Sequence, residues 1–242
     1  MTVNSNKTSK WLSLGIKAFL TLAMPILLTV FSIRLVMSYQ FFQFEYLRPD
    51  FPVDTYGFTT EDRLTYSPYA VDYLFNSEDI NFLGDLRLPL DKCWQPSPDA
   101  TDCPMYQDEA LNHMVDVKVV TQMTFTIAGL LSLITLGILG IGYRYQHYRL
   151  PIQRGLTYGS VLTISLIITI ATLALTAWDF FFDTFHEIFF EAGTWRFAFS
   201  DTLIRLYPEQ FWFDASITVG ILATIGAVII LALMWQWSIR RH

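Results

Sequence analysis

The chain has 242 residues, is 52% hydrophobic and 16% aromatic, and carries a formal net charge of −6. This composition excludes an ordinary soluble domain, and the acidic balance argues against nucleic acid as a partner. Four apolar runs are long enough to cross a bilayer as helices, and they lack the alternation of barrel strands. These runs are Ala18–Tyr39, Val119–Tyr143, Leu156–Trp178 and Ala215–Trp237. The predicted fold class is all-α integral membrane, with four transmembrane helices.

The placement of lysine and arginine predicts the orientation. The basic residues near the ends of the runs are Lys7, Lys10, Lys17, Arg144, Arg149, Arg154, Arg240 and Arg241. Under the positive-inside rule, both termini and the second connection lie in the cytoplasm. The predicted segments are then a tail with the first span (1–39), an extracytoplasmic cap (40–118), the second span (119–143), a cytoplasmic loop (144–155), the third span (156–178), an aromatic-rich outer loop (179–214), and the fourth span with its tail (215–242).

The large outer loop is patterned as a small cap of short helices and loops. Residues 40–117 carry 15 acidic and four basic residues. Thr59 or Thr60 is a helix N-cap followed by acids in the first turn, and a second helix start near Asp108 runs into the second span. Cys93 and Cys103 both lie in this loop, and an oxidising outer compartment favours a disulfide between them.

His113 enters the second span in the company of a carboxylate. Asp116 follows three residues later, so the two side chains share a helix face, and the carboxylate is expected to orient the imidazole. The alternative interpretation is a histidine that packs at the level of the lipid headgroups. Both interpretations remain open for His113 taken alone.

His186 lies at the outer end of the third span, within an aromatic cluster. If the helix continues, Asp179, Asp183 and His186 occupy one face at i, i+4, i+7 spacing. An aromatic belt at the membrane interface is the alternative. The predicted topology places His113 and His186 on the same outer face at comparable depth, where two imidazoles can share acid and base duties.

A metal site is a competing use of these side chains. Its possible ligands are His113, His186, Asp116, Asp183 and Glu187. The sequence has no HExxH, GxSxG or phosphate-loop motif, and the spacing of these residues matches no usual metal template, so we expect no metal. Gly137, Gly140 and Gly142 are expected to mark close helix packing.

Several segments together resemble the lipoprotein intramolecular transacylase family. They are Tyr56–Phe58, Asp62–Leu64, His113–Lys118, Phe185–Phe190, Trp195–Phe197, Asp201–Pro208 and Phe211–Trp212. The resemblance covers nearly the whole chain. It implies a four-span protein of the bacterial plasma (inner) membrane with an extracytoplasmic catalytic cap. It also implies membrane lipids and a lipid-modified lipoprotein in the outer leaflet as partners.

The implied activity is an acyl transfer within one lipoprotein molecule. The sn-2 acyl chain of the diacylglyceryl group moves to the α-amine of the N-terminal cysteine, which gives a lyso-form lipoprotein. The family's two catalytic histidines fall on His113 and His186 by motif match. No cofactor is implied, because the substrate supplies both the nucleophile and the ester.

Other residues are candidates for orienting the substrate or lining the pocket. Besides Asp116 and Asp183, they are Trp195, Arg196, Arg205 and Trp212. An ion network that anchors the cap is an equal interpretation for the arginines. Two other functions also remain open for the chain. One is an outer-leaflet lipid-ester hydrolase, and the other is a non-enzymatic membrane binding or assembly protein.

Overall fold

A computed structural model describes residues 3–94, 99 and 101–239 of the chain. Four of its helices are long and apolar enough to cross a membrane within these described residues. The prediction of an all-α membrane fold with four long apolar helices is confirmed. Arg240 and Arg241, which the orientation prediction uses, lie outside the described residues, as does part of the predicted cap at 95–98 and 100.

Nine α-helices are formed by the described residues. They are α1 (Val3–Val36), α2 (Tyr39–Tyr46), α3 (Thr60–Phe75), α4 (Asn81–Gly84), α5 (Asp108–Arg144), α6 (Arg149–Thr176), α7 (Trp178–Phe189), α8 (Thr202–Leu206) and α9 (Glu209–Ile239). Two short 3-10 helices cover Leu90–Lys92 and Gln146–Tyr148. The long helices begin before their apolar runs, because a helix continues through polar residues until a cap or breaker stops it.

Two compact units divide the chain. The spanning unit comprises residues 1–34, 124–175 and 217–242, and the site unit comprises residues 35–123 and 176–216. In the spanning unit, α1 packs against α6 through a buried apolar cluster of Ile16, Leu20, Met24, Ile152 and Leu156. The spanning unit therefore has its own buried packing between these two helices.

Close approach of α1 and α6 depends on glycines that the sequence interpretation did not select. A Cβ on Gly159 would lie 2.8 Å from the Leu20 carbonyl oxygen, and one on Gly155 would lie 3.0 Å from the Lys17 carbonyl oxygen. Gly137 and Gly140 have open space instead, so their predicted role in close packing is wrong. Only Gly142, which faces the Ile152 side chain, matches that expectation.

Replacing Gly159 by alanine is expected to lower stability by about 1–3 kcal/mol, because an added methyl group overpacks a backbone contact. Thermal unfolding in detergent micelles measures the change. Gly129→Ala is the matched control, since a Cβ there meets nothing within 4 Å. Equal unfolding temperatures for the two variants would contradict the close approach.

The site unit is built around α2, α3 and α8. The Thr59 side chain caps α3 in a reciprocal capping box with Asp62. The buried Tyr46 hydroxyl donates to the Leu206 carbonyl at 2.8 Å, and the Tyr207 hydroxyl donates to the Ser67 carbonyl. These bonds tie α2 and α3 to the end of α8.

A disulfide joins Cys93 and Cys103, whose Cα atoms are 6.0 Å apart. Two backbone hydrogen bonds lie beside it, from Leu88 N–H to the Cys103 carbonyl and from Met105 N–H to the Leu86 carbonyl. They pair residues 86–88 with residues 103–105, beside the loop that the disulfide closes.

Replacing both cysteines by serine is expected to destabilise the site unit by about 2–3 kcal/mol, because the disulfide restricts the unfolded chain over a short loop. Thermal unfolding with and without reductant measures this. The wild type should lose stability on reduction and the double variant should not respond. An unaltered wild-type unfolding temperature in reductant would contradict the prediction.

Candidate active site: two histidines in an aromatic cluster

Helix α5 carries His113 in its second turn. Acidic Asp108 and Glu109 occupy the first turn, where they complement the helix dipole. At 1.5 Å per residue the helix is about 55 Å long, so His113 precedes the apolar part that a bilayer needs. The prediction of a helix start near Asp108 that runs through His113 is confirmed.

Helix α7 carries His186 in its last turn. The chain leaves helical geometry at Ala177, with φ −151° and ψ 63°, so the third long helix ends and α7 begins as a separate helix. The third span therefore does not continue to His186 as one unbroken helix. Because α7 itself contains Asp179, Asp183 and His186, their i, i+4, i+7 spacing still holds within one helix.

A turn at Gly193 brings the following segment back onto α7. Gly193 has φ +88°, a left-handed conformation that glycine adopts without strain, and Thr194 N–H donates to the Glu191 carbonyl across the turn. Trp195 follows immediately and stacks on the His186 ring, with centroids 4.7 Å apart and an interplanar angle of 29°. The turn thus supplies one wall of the site.

Both imidazoles belong to one aromatic cluster, which we call the histidine cluster: His113, His186, Phe182, Phe190, Trp195 and Phe197. Phe190 joins the two histidines, because its ring centroid lies 4.9 Å from His113 and 5.9 Å from His186. Phe197 packs on His113 at 5.5 Å, and Phe182 packs on His186 at 4.1 Å. The two rings that the sequence singled out therefore share one apolar environment.

A backbone hydrogen bond orients His186. Its Nδ1 lies 2.8 Å from the Phe182 carbonyl oxygen, one turn back along α7. Since a carbonyl oxygen only accepts, Nδ1 carries the proton and donates. In the neutral ring, Nε2 then has a free lone pair. The fold thus holds His186 in the tautomer of a base.

Burial lowers the pKa of His186, and this effect outweighs the Phe182 hydrogen bond and the negative charge of Asp183, both of which raise it. The aromatic surroundings solvate an imidazolium poorly. His186 is therefore neutral at pH 7 and able to accept a proton.

His113 is buried, with 8% of its surface exposed. Its Nδ1 atom has no hydrogen-bond partner among the residues that the structure describes. Asp116 lies exposed on the same helix and makes no hydrogen bond to that atom within the described chain. The orienting role expected for Asp116 is thus not seen, and His113 keeps an unused polar atom inside the histidine cluster.

Asp183 and Arg196 bind each other, at 2.7 Å between Oδ2 and Nη2, on a partly exposed surface. The Arg196 guanidinium also lies 4.8 Å from the Trp195 ring centroid. The pair therefore fastens the Trp195 segment to α7. Asp183 acts on this loop and does not hydrogen-bond to His186.

Arg205 lies away from the histidine cluster, in a buried ion network. Its Nε donates to Asp54 Oδ2 at 3.1 Å, and its other nitrogens donate to the carbonyls of Lys92 and Tyr56. The guanidinium also stacks on Phe58 at 3.5 Å. These contacts are those of the anchoring network that the sequence left open as an alternative.

Trp212 is 41% exposed and contacts the rings of Tyr207 and Phe211. It does not belong to the histidine cluster.

Within the described residues, no group of three or more His, Cys, Asp or Glu side chains converges as metal ligands do. Phe182 was not among the predicted site residues. Its position one helical turn before His186 is the feature of the sequence that points to contact with that histidine.

Comparison with known proteins matches this architecture to one family. The family model described as "Lipoprotein intramolecular transacylase Lit" matches residues 18–212. An uncharacterized protein of Aquifex aeolicus (strain VF5) is 27% identical over 216 residues, which cover 89% of this chain and 91% of that protein.

Solved structures share the fold. The membrane integral lipoprotein intramolecular transacylase from Bacillus cereus superposes with a TM-score of 0.70 at 18% identity, covering 96% of this chain and 98% of that one. A histidine-to-alanine variant of that protein gives a TM-score of 0.70 at 17% identity, covering 98% of both chains. The chain is therefore a multi-pass membrane protein that belongs to the lipoprotein intramolecular transacylase family, and an acyltransferase by that membership.

Proposed function

We propose that the protein moves the sn-2 acyl chain of a diacylglyceryl lipoprotein to the α-amine of the lipoprotein's own N-terminal cysteine. His186 acts as the general base in this proposal, and His113 acts as a hydrogen-bond donor. The observation that carries the assignment is the hydrogen bond between His186 Nδ1 and the Phe182 carbonyl. It leaves Nε2 as the acceptor, in a ring whose pKa is lowered by burial.

The chemistry needs no nucleophile from the protein. The neutral α-amine attacks the ester carbonyl carbon, and the carbonyl π electrons move to oxygen to form an oxyanion. His186 Nε2 takes the proton that the attacking nitrogen loses. The carbon–oxygen bond to glycerol then breaks with its electron pair on the glyceryl oxygen, which receives the proton from His186. An amide and a glyceryl hydroxyl result.

His113 is suited to a neutral donor's role. In its buried position a permanent positive charge is disfavoured, while a neutral imidazole N–H still polarises an oxygen. The unpartnered Nδ1 atom supports a ligand contact at this ring. We assign His113 to the departing glyceryl oxygen, whose developing negative charge it stabilises.

The aromatic walls favour aminolysis over hydrolysis. Phe190 contacts both imidazoles, and Trp195 and Phe197 cover one ring each. These rings exclude water from the reacting ester and keep the tethered amine close to it. The positive-inside pattern further supports an extracytoplasmic site in the bacterial plasma membrane, facing outer-leaflet substrate.

A crossover experiment with synthetic diacylglyceryl lipopeptides tests this function. One lipopeptide carries heavy isotopes in both its sn-2 chain and its peptide, the other carries none, and the purified protein in lipid nanodiscs receives an equal mixture. Because the product is an isomer of the substrate, fragmentation mass spectrometry must locate the acyl chain. We expect N-acylated products in which heavy chains stay on heavy peptides.

Other outcomes assign the alternative functions. Mixed labels would mean transfer between molecules, and free labelled fatty acid would indicate a hydrolase. Unchanged substrates would leave a binding or assembly role. Loss of activity with a chelator would indicate metal chemistry.

A further inference from the structure

Trp195 presents a buried donor without an acceptor. Its side chain is 6% exposed, and its Nε1 atom has no hydrogen-bond partner among the described residues. The rest of the side chain is held firmly, because the ring stacks on His186 at 4.7 Å and makes an edge contact with Phe182 at 6.0 Å. The packing thus satisfies the ring of this side chain but gives its indole N–H no hydrogen-bond acceptor.

Such an atom is costly in a resting protein. A buried donor with no acceptor has lost its hydrogen bonds to water without replacement, and the exceptions in native structures call for a specific explanation, such as catalysis. A phenylalanine in this place would supply a ring for His186 without that cost. An indole at this position is therefore explained if the substrate supplies the hydrogen-bond acceptor for its N–H.

We propose that the Trp195 Nε1–H donates a hydrogen bond to the substrate's ester carbonyl oxygen as that oxygen becomes an oxyanion. This inference rests on the proposed acyl transfer and adds a catalytic residue to it. The amine lone pair forms the new carbon–nitrogen bond while the carbonyl π pair moves to the oxygen that the indole N–H faces. The hydrogen bond is strongest when the negative charge is complete, so it lowers the barrier selectively.

The position and chemistry of the indole fit this role. Its ring stacks on His186, so a donor on it lies beside the base that takes the proton from the attacking amine. Indole is a donor only and does not ionise, so it cannot compete with His186 for that proton. The Asp183–Arg196 pair, whose guanidinium also contacts the indole, keeps the donor fixed before the charge forms.

An atomic substitution tests the inference. Incorporation of 3-benzothienylalanine at position 195 replaces the N–H by sulfur and keeps the shape and the stacking on His186. Trp195→Phe is the second variant, and thermal unfolding in nanodiscs verifies that each one is folded. We expect kcat for lipopeptide acyl transfer to fall about 10²-fold in both. KM and the pH midpoint of kcat should stay unchanged.

Trp235→Phe is the matched control, since Trp235 is 71% exposed on α9 and should keep full activity. A folded benzothienyl variant with wild-type kcat would overturn the inference and leave the acyl transfer intact. A rise in KM alone, or a shifted pH midpoint, would also overturn it, because the indole would then act on binding or on His186. A wild-type protein that performs no transfer would refute the proposed function itself, and this inference with it.

Discussion

Replacement of His186 by glutamine is expected to reduce kcat for acyl transfer by about 10³-fold, with little change in KM. Glutamine keeps the length of the side chain but has no nitrogen that accepts a proton near neutral pH, and loss of a general base costs about 10²–10⁴-fold. Single-turnover assays with labelled lipopeptide in nanodiscs measure the rate. Folding should be retained, because His186 contributes packing and one hydrogen bond to its own helix.

His147→Gln is the control for that substitution. His147 lies exposed in the short 3-10 helix Gln146–Tyr148, where its ring contacts Tyr145 and Tyr148. It belongs to the spanning unit and should keep the wild-type rate. Equal rates for the two glutamine variants would show that His186 is not the base.

The pH dependence of the reaction follows from the lowered pKa of His186. A base is active when unprotonated, and burial lowers this pKa below its ordinary value of 6.5. In the pH profile of kcat, the midpoint of the acid limb should therefore lie below pH 6.5. This limb should be absent from the profile of His186→Gln. An acid limb centred above pH 6.5 in the wild type would contradict the buried, neutral base.

Replacement of Arg205 by methionine is expected to destabilise the site unit by about 3–5 kcal/mol, the usual effect of breaking a buried ion pair. Arg205 and Asp54 are nearly inaccessible, with side-chain exposures of 1% and 3%. Methionine fills similar space but removes the guanidinium from the Asp54 carboxylate and from two backbone carbonyls. The carboxylate keeps its hydrogen bond from the Phe58 N–H but loses its paired positive charge. Thermal unfolding in nanodiscs measures the effect, and transfer activity should fall with it.

The exposed pair of Arg87 and Asp102 provides the contrast. Its side chains are 44% and 56% exposed, so Arg87→Met should cost less than about 1 kcal/mol. Adding Asp54→Asn to Arg205→Met should recover part of the lost stability, because it removes the uncompensated charge. A fully stable Arg205→Met protein would contradict the anchoring role.

Local patterns account for what the sequence predicted. The four spans follow from uninterrupted apolar runs, and the start of α3 follows from a threonine and an aspartate three residues apart, which form the capping box. The sequence singles out His113 and His186 as candidates because ionisable groups beside apolar helices are rare. The sequence left open whether the third span continues past Trp178, since no glycine or proline marks the break at Ala177.

Contacts between distant residues account for what the sequence did not predict. Arg205 and Asp54 are 151 residues apart, and no spacing rule links them. Glu45 is a second residue whose environment the sequence did not predict. It is fully buried, and burial together with neighbouring Asp214 raises its pKa to about 7. The unpaired indole of Trp195 is a property of packing, which a sequence pattern does not contain.

The most direct test of the two-histidine site is a double-variant cycle on the transfer rate. Single-turnover rates are measured for His113→Ala, His186→Ala and the variant carrying both substitutions. When two groups serve one reaction step, removing the second costs little rate once the first is gone. The double variant should therefore be about as slow as the slower single variant. A double variant slowed by the product of the two single effects would contradict a joint site, as would full activity in either single variant.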